Sequence, residues 1–429
     1  MTLHILPLLD TKPSASPAHR RDCALDGYII NNQYKLLKKI GAGTYGLIYL
    51  VEDMATGQRN AAKMVLTEPQ PTSHGDASEN KKAIQRTFYQ YFVAHDPVQA
   101  QELDLDIISR DGINLNSLRE IALHLRVHHH PNVVTIHGVL NLNRFAVITM
   151  MDYFPQGDLF GNIIDNQMFL RPPVHQDKQL LMKNCMLQLV EAIDYCALQS
   201  VYHCDLKPEN VMVVYDPSYH RPQGSTEIID YSELRVSLID FGLAMTSNLI
   251  CCNACRGSSF YMAPERIVNF NTNKLVRSMI NMDQFDTSPE ATLELNAKYF
   301  PTLAGDIWLL GVLFINITCA RNPWPVANIN DRHEVFSNYM LQNKSILQTI
   351  LPILRQFNLL LNEIFNLNPK SRIPLRELAA KIRQVDFFHD RVEYNEQLCT
   401  PPTELKSLPP TPATSIVSKN RTRKVAAKQ

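Results

Sequence analysis

The hydrophobic period changes part-way along this chain, and no other feature limits its fold so strongly. Tyr34–Ile40, Leu47–Val51 and Arg59–Leu66 read as strands, the first two joined by a glycine-rich turn. Phe145–Asp152 is a further apolar strand. Ser117–His128 carries Leu118, Ile121 and Leu125 at helical spacing, with Ser117 placed to cap it. Beyond these, Lys178–Leu198 is strongly helix-periodic, and Ala304–Ala320 is apolar nearly all round, the mark of a buried helix. Strands with one helix are followed by mostly helices. The expected fold is therefore α+β, with a small sheet lobe and a larger helical lobe.

Composition bounds the function classes. The 429 residues are 45% apolar and 20% charged, enough for a substantial core. The 42 basic and 42 acidic residues cancel, so nothing in the balance asks for nucleic acid or an anionic membrane. Nine cysteines, an odd number, accompany a start (Met1–Asp10) with neither a basic region nor a small-residue cleavage site. The longest apolar run, Ile307–Ala320, is interrupted by Asn316 and Thr318 and reads as too short to span a bilayer. The expectation is a reduced, cytoplasmic monomer without structural disulfides. Residues 1–27 read as a disordered leader, and residues 391–429 as a disordered tail rich in Pro, Thr and Lys. In the tail, Thr400-Pro401-Pro402 and Pro409-Pro410-Thr411-Pro412 suit proline-directed phosphorylation, and the basic stretch Lys419–Lys428 suits a weak nuclear address.

Chemistry concentrates in His203-Cys204-Asp205-Leu206-Lys207-Pro208-Glu209-Asn210, which sets a base, a cation and a metal-binding amide within a few positions. These are the groups needed to move a phosphoryl group onto a hydroxyl. Upstream, Gly41-Ala42-Gly43-Thr44-Tyr45-Gly46-Leu47-Ile48 has the spacing of a backbone phosphate cradle, although an ordinary glycine hairpin would look the same. A dinucleotide site needs a helix directly after the glycines; Ile48, Tyr49 and Val51 indicate a strand instead, which favours a strand-loop-strand arrangement. Lys63 lies in the next apolar strand, where a cation needs anionic partners or must snorkel from an edge.

Taken in order, these motifs resemble a eukaryotic protein kinase of the Ser/Thr type over residues 34–388. The resemblance implies a two-lobed protein kinase fold, with an N-lobe over 34–152 and a C-lobe over 153–388. It implies that Ile40–Ile48 cover the phosphates of ATP and that Lys63 contacts them and pairs with Glu120. Asp205 would orient the substrate hydroxyl, and Lys207 would neutralise the moving phosphoryl group. Asn210 and Asp240, the latter in Asp240-Phe241-Gly242, would hold Mg2+. Met151 would stand at the back of the adenine pocket, with Asp152 and Phe154 in the hinge and Asp158 near the ribose. Glu265 of Ala263-Pro264-Glu265 would pair with Arg372, and Asp306, Trp308 and Gly311 belong to the helix that anchors the catalytic loop. Asp158 and Glu209 together suggest protein substrates with Arg two or three residues before the acceptor, or else are ordinary solvated acids. The His-Cys-Asp form is similar to that of fungal nutrient- and meiosis-linked kinases. Pseudokinase scaffolds, the alternative class, typically lose one of the groups that Lys63, Asp205, Asn210 and Asp240 supply here.

The chain departs from the family pattern in two respects. Lys63 and Glu120 are 57 positions apart, so an insertion at about 67–113 is expected, with others at about 215–231 and 269–298. All read as partly disordered surface decorations or docking elements. Cys204 stands where the family carries an Arg that binds an activation-segment phosphate, and no Ser or Thr occurs between Ser247 and Ser258. Receptor and acceptor are missing together, which predicts activity without phosphorylation of that segment. Cys204, Cys251, Cys252 and Cys255 could bind zinc or form a redox bridge; the plainer reading is small packing residues.

Overall fold

The computed structural model describes residues 23–43, 46–68, 77–287, 298–329 and 334–388. They form two compact units, one running to Pro155 and including Ser237–Gly242, the other comprising Gln156–Val236 and the chain from Leu243.

The first unit is built on strands β1 (Ile29–Ile30), β2 (Tyr34–Ala42), β3 (Gly46–Asp53), β4 (Arg59–Leu66), β5 (Gln101–Leu103), β6 (Ile136–Leu142) and β7 (Ala146–Asp152). They make one antiparallel sheet in the order β1-β2-β3-β4-β7-β6-β5. Helices α1 (Ala77–Ala94), α2 (Leu105–Asp111) and α3 (Arg119–Leu125) pack on it. The strand alternation of β6 and β7 decides which helix meets which face. Val139 and Val147 join Ile108 of α2 and Ile121, Ala122 and Leu125 of α3. Their neighbours Leu140, Ala146 and Ile148 join Ile84, Phe88 and Phe92 of α1. The sheet is thus covered on both faces.

This corrects the reading of 67–113 as decoration. Phe88 and Phe92 are completely buried, and each such ring contributes roughly 1.5–3 kcal/mol on leaving water. Gln85 adds polar ties from α1 to the Cys23 carbonyl (2.8 Å) and the Tyr49 hydroxyl (3.2 Å). The expected leader mostly lies outside the described residues, but its end does not: Leu25 is fully buried in the same core. Helix α3 starts at Arg119 behind Leu118, so Ser117 does not cap it.

The second unit contains α4 (Leu159–Ile164), α5 (Lys178–Leu198), β8 (Val211–Tyr215), β9 (Leu234–Leu238), β10 (Leu249–Cys251), α6 (Pro264–Ile267), α7 (Lys274–Met279) and β11 (Tyr299–Pro301). It continues with α8 (Thr302–Cys319), α9 (Glu334–Leu341), α10 (Ile346–Ile350), α11 (Arg355–Ile364) and α12 (Leu375–Gln384). The expected helix Ala304–Ala320 is α8, a few residues longer at its start. By length and composition α8 could cross a membrane, contrary to the expectation from the shorter run, but it is 94% buried in this unit. It packs on α5 and α11, with Trp308 against Phe365 (4.9 Å between ring centroids). The stretch 215–231 is also more than decoration. Arg221 bonds the buried Glu233 and the carbonyls of Glu227 and Ile228, while Asn184 of α5 donates to Glu233 (3.1 Å).

Candidate active site

In the first unit the sheet register sets the site. Ile48 lies directly opposite Lys63, and Leu47 opposite Met64. Gly46 is required here: a Cβ on it would meet the Met64 carbonyl oxygen at 2.0 Å. Of the glycine-rich turn, Gly41, Ala42 and Gly43 are described, whereas Thr44 and Tyr45 lie outside the described residues. Lys63 forms an ion pair with Glu120 of α3 and lies 3.5 Å from Asp240. Burial alone would lower the lysine pKa; the charges of Glu120 and Asp240 outweigh it and raise it, so the ammonium is permanent. Asp240 has φ +65° and is 45% exposed at its side chain. Met151 packs half-buried between Ala61 and Ile136, and Phe154 is buried. Asp152 accepts from Thr135 N (3.2 Å) and bonds His137 (2.7 Å), so its carboxylate braces the strand end. Ile40, at the end of β2, is 39% exposed.

In the second unit Asp205 is buried, with both carboxylate oxygens oriented. Oδ1 accepts from Ser258 N (2.7 Å) and Oδ2 from Lys207 Nζ (3.0 Å), which also donates to Ser258 Oγ (3.0 Å). Asn210 Nδ2 donates to the Asp205 carbonyl (2.9 Å), which turns the amide oxygen the other way. The loop is held from α8: Asp306 accepts from His203 N and Cys204 N, both at 2.9 Å. Asp158 caps α4 through Gly161 N (2.8 Å), a structural duty that the resemblance did not foretell. Glu209 Oε2 is buried with no hydrogen-bond partner among the described residues, and burial raises its pKa.

Comparison with known proteins agrees with this arrangement. The model of the protein kinase domain matches residues 105–282. The serine/threonine-protein kinase VHS1 of Saccharomyces cerevisiae is 34% identical over 377 residues, 86% of this chain and 72% of the relative. The chain belongs to the protein kinase family. Serine/threonine-protein kinase SKS1 of the same yeast is 33% identical, covering 86% of this chain and 66% of that protein. The negative regulator of sexual conjugation and meiosis of Schizosaccharomyces pombe is 32% identical, covering 83% and 61%. All three relatives are fungal, and the chain falls on the serine/threonine branch of the family.

As in other kinases, the activation segment ends at Glu265, which pairs doubly with Arg372 (2.6 Å for both bonds); both side chains are buried. What precedes it is tied down by backbone pairing. Strand β10 lies in the segment and pairs with β11, which directly follows the 269–298 insertion: Leu249 opposite Pro301, Ile250 opposite Phe300, Cys251 opposite Tyr299. Cys252 N donates to Lys298 O (3.0 Å), Asn253 N to Glu265 O (2.9 Å) and Cys255 N to Arg266 O (3.0 Å). Residues 288–297 of the insertion lie outside the described residues. Cys204 is buried, and desolvation pushes its thiol up to about 12, so it is a neutral packing group. Cys252 bonds Asn269 and Asn271 through sulfur, Cys255 is exposed, and no metal-holding group of three side chains occurs among the described residues.

One site residue escaped the sequence entirely. Arg266, next to Glu265, is 1% exposed and lies against the loop that carries Asp205. It sits on the four-residue helix α6, where a cation gives no local sign of burial.

Proposed function

We propose that this kinase transfers the γ-phosphoryl group of Mg2+-ATP to Ser and Thr hydroxyls of protein substrates, with Asp205 accepting the hydroxyl proton. The observation that carries the reading is the doubly oriented carboxylate of Asp205 beside the Lys207 cation. The residues present fit the cofactor. Lys63 is a fixed cation for phosphate oxygens, Gly46 brings backbone close to β4, and Asp240 and Asn210 each offer the hard oxygen that Mg2+ selects. When bound, the nucleotide supplies the phosphoryl group and the metal neutralises its charge. Glu120 holds Lys63 extended, and Lys207 offsets charge near the acceptor hydroxyl. A zero net charge accords with protein rather than nucleic-acid or membrane substrates. The test is phosphate transfer from radiolabelled Mg2+-ATP, comparing the wild type with Asp205→Asn. Equal transfer by both would return the chain to a scaffold role.

Two finer readings have support. The unpartnered buried oxygen of Glu209, with Asp158 adding negative charge nearby, favours substrates carrying Arg shortly before the acceptor. The β10–β11 ladder and the neutral Cys204 favour activity without segment phosphorylation. Phosphatase-treated protein from bacteria is expected to be fully active; inactivity until the segment is phosphorylated would refute this.

A further inference from the structure

A guanidinium withdrawn from water as completely as that of Arg266 needs acceptors, and two of its three nitrogens find them, while Nε has none among the described residues. Its Nη1 donates to the Cys204 carbonyl (3.4 Å) and its Nη2 to the Thr302 carbonyl (3.0 Å), and it lies 4.0 Å from the Asp306 carboxylate. Both Cys204 and Asp306 govern the peptide that leads into Asp205. Cys204 has φ +65°, a left-handed conformation that disfavours any residue with a Cβ by about 1–2 kcal/mol. The backbone there is held from two sides. Asp306 takes the N–H groups of His203 and Cys204, while Arg266 takes the carbonyl that joins Cys204 to Asp205.

Helix α8 makes room for this cation. A Cβ on Gly305 would stand 2.2 Å from Arg266 Nη2 and 2.4 Å from its Cζ. Glycine inside a helix is about 1 kcal/mol less favourable than alanine, and here the space it leaves holds the guanidinium. Helix α6, which carries Arg266, also receives the activation segment: the Arg266 carbonyl accepts from Cys255 N (3.0 Å). One residue therefore touches the catalytic loop through its side chain and the segment through its backbone.

We propose that Arg266 is a positioning residue for phosphoryl transfer: from inside the fold it fixes the Cys204 carbonyl, and through that peptide the carboxylate of Asp205. This rests on the reading of Asp205 as the base. Cys204 contributes no charge to the loop; the cation comes from the end of the activation segment and does not depend on a phosphate.

The test compares the full chain with Arg266→Met, Arg266→Lys, Gly305→Ala and the Met/Ala double variant, using dephosphorylated casein as acceptor. Steady-state kinetics are referred to the folded fraction measured by thermal unfolding. Arg266→Met should lower kcat by about 100-fold with the KM for ATP unchanged, the scale of a 1 Å misplacement. Arg266→Lys should recover part of it. Gly305→Ala keeps the charge but displaces it, and should lose kcat similarly; the double variant should be no worse than Arg266→Met. Should Arg266→Met fail to fold, Gly305→Ala, whose helix propensity rises, decides alone. A kcat per folded molecule within twofold of wild type in Gly305→Ala, or additive losses in the double variant, overturns the proposal. Full activity of Asp205→Asn in the same assay would overturn the assignment of the base instead.

Discussion

At the scale of single residues, the pH behaviour of Glu209 gives a sharp prediction. Its carboxyl titrates above its ordinary value because burial disfavours the charged form; this outweighs the opposing pull of its own backbone N–H and of Lys207, and the charges of Asp158 and Asp205 add to the rise. The carboxylate that would bind a substrate arginine is therefore lost earlier on acidification than a surface Glu would be. The KM for a peptide with Arg shortly before the acceptor should rise as pH falls through this raised pKa. The KM for an otherwise identical peptide lacking that Arg should not follow it. Glu209→Gln should raise the first KM roughly tenfold at neutral pH, about 1.4 kcal/mol, and flatten its pH dependence. Equal pH profiles for the two peptides would assign Glu209 to packing. Most residues of the site were legible in sequence because each has a local reason to be where it is. Lys63 in an apolar strand demands anions, and Gly46 announces a close backbone approach. Arg266 gave no such signal, since a cation on a short helix reads as a solvated face.

At the scale of elements, the insertions carry the departures from expectation. The insertion at about 67–113, which contains α1, reads in sequence as surface decoration or a docking element because it is polar and added loop length costs little free energy. The clue lay in β3 instead: Leu47, Tyr49, Leu50 and Val51 are all buried, and a strand apolar on both faces needs a layer on each side. Phe88→Ala should therefore cost about 3–5 kcal/mol in urea unfolding, as for a core aromatic, where a decorative helix would give under about 0.5 kcal/mol. The strand β11 makes a second case. Phe300 is fully buried against Phe270 (5.6 Å) and Phe285 (4.7 Å), and it pairs with Ile250 of the activation segment. Truncating it to Ala should loosen the segment, so trypsin should cleave after Arg256 faster than in the wild type and kcat should fall. A segment ordered by its own contacts alone would show neither effect. Such pairing could not be read from sequence, because β10 and β11 are three residues each and too short to display a period.

At the scale of the whole molecule, long-range pairs fix where distant parts of the chain meet, and local pattern is silent about them. Fold class was legible because period and order alone separate a sheet unit from a helical one. The seven-strand order was not, since β5 reaches the sheet edge from within an insertion. The pair Glu265–Arg372 shows what a motif adds: 107 positions separate the two, yet family resemblance named both. Arg372 also donates to the Ala304 carbonyl (2.7 Å) and stacks over Trp308 (4.9 Å to the ring centre), so it ties the end of the activation segment to α8. Burying two charges costs several kcal/mol per ion, and the double hydrogen bond offsets it only while both partners remain. Arg372→Met should then destabilise by about 3–5 kcal/mol, chiefly by stranding the Glu265 carboxylate. Adding Glu265→Gln should recover much of that loss, because the stranded charge is removed. Chemical denaturation of the wild type, both single variants and the double variant closes the cycle. Simple additivity of the two losses would mean that the pair does not act as a unit, and that the segment end is held by packing around Trp308 instead.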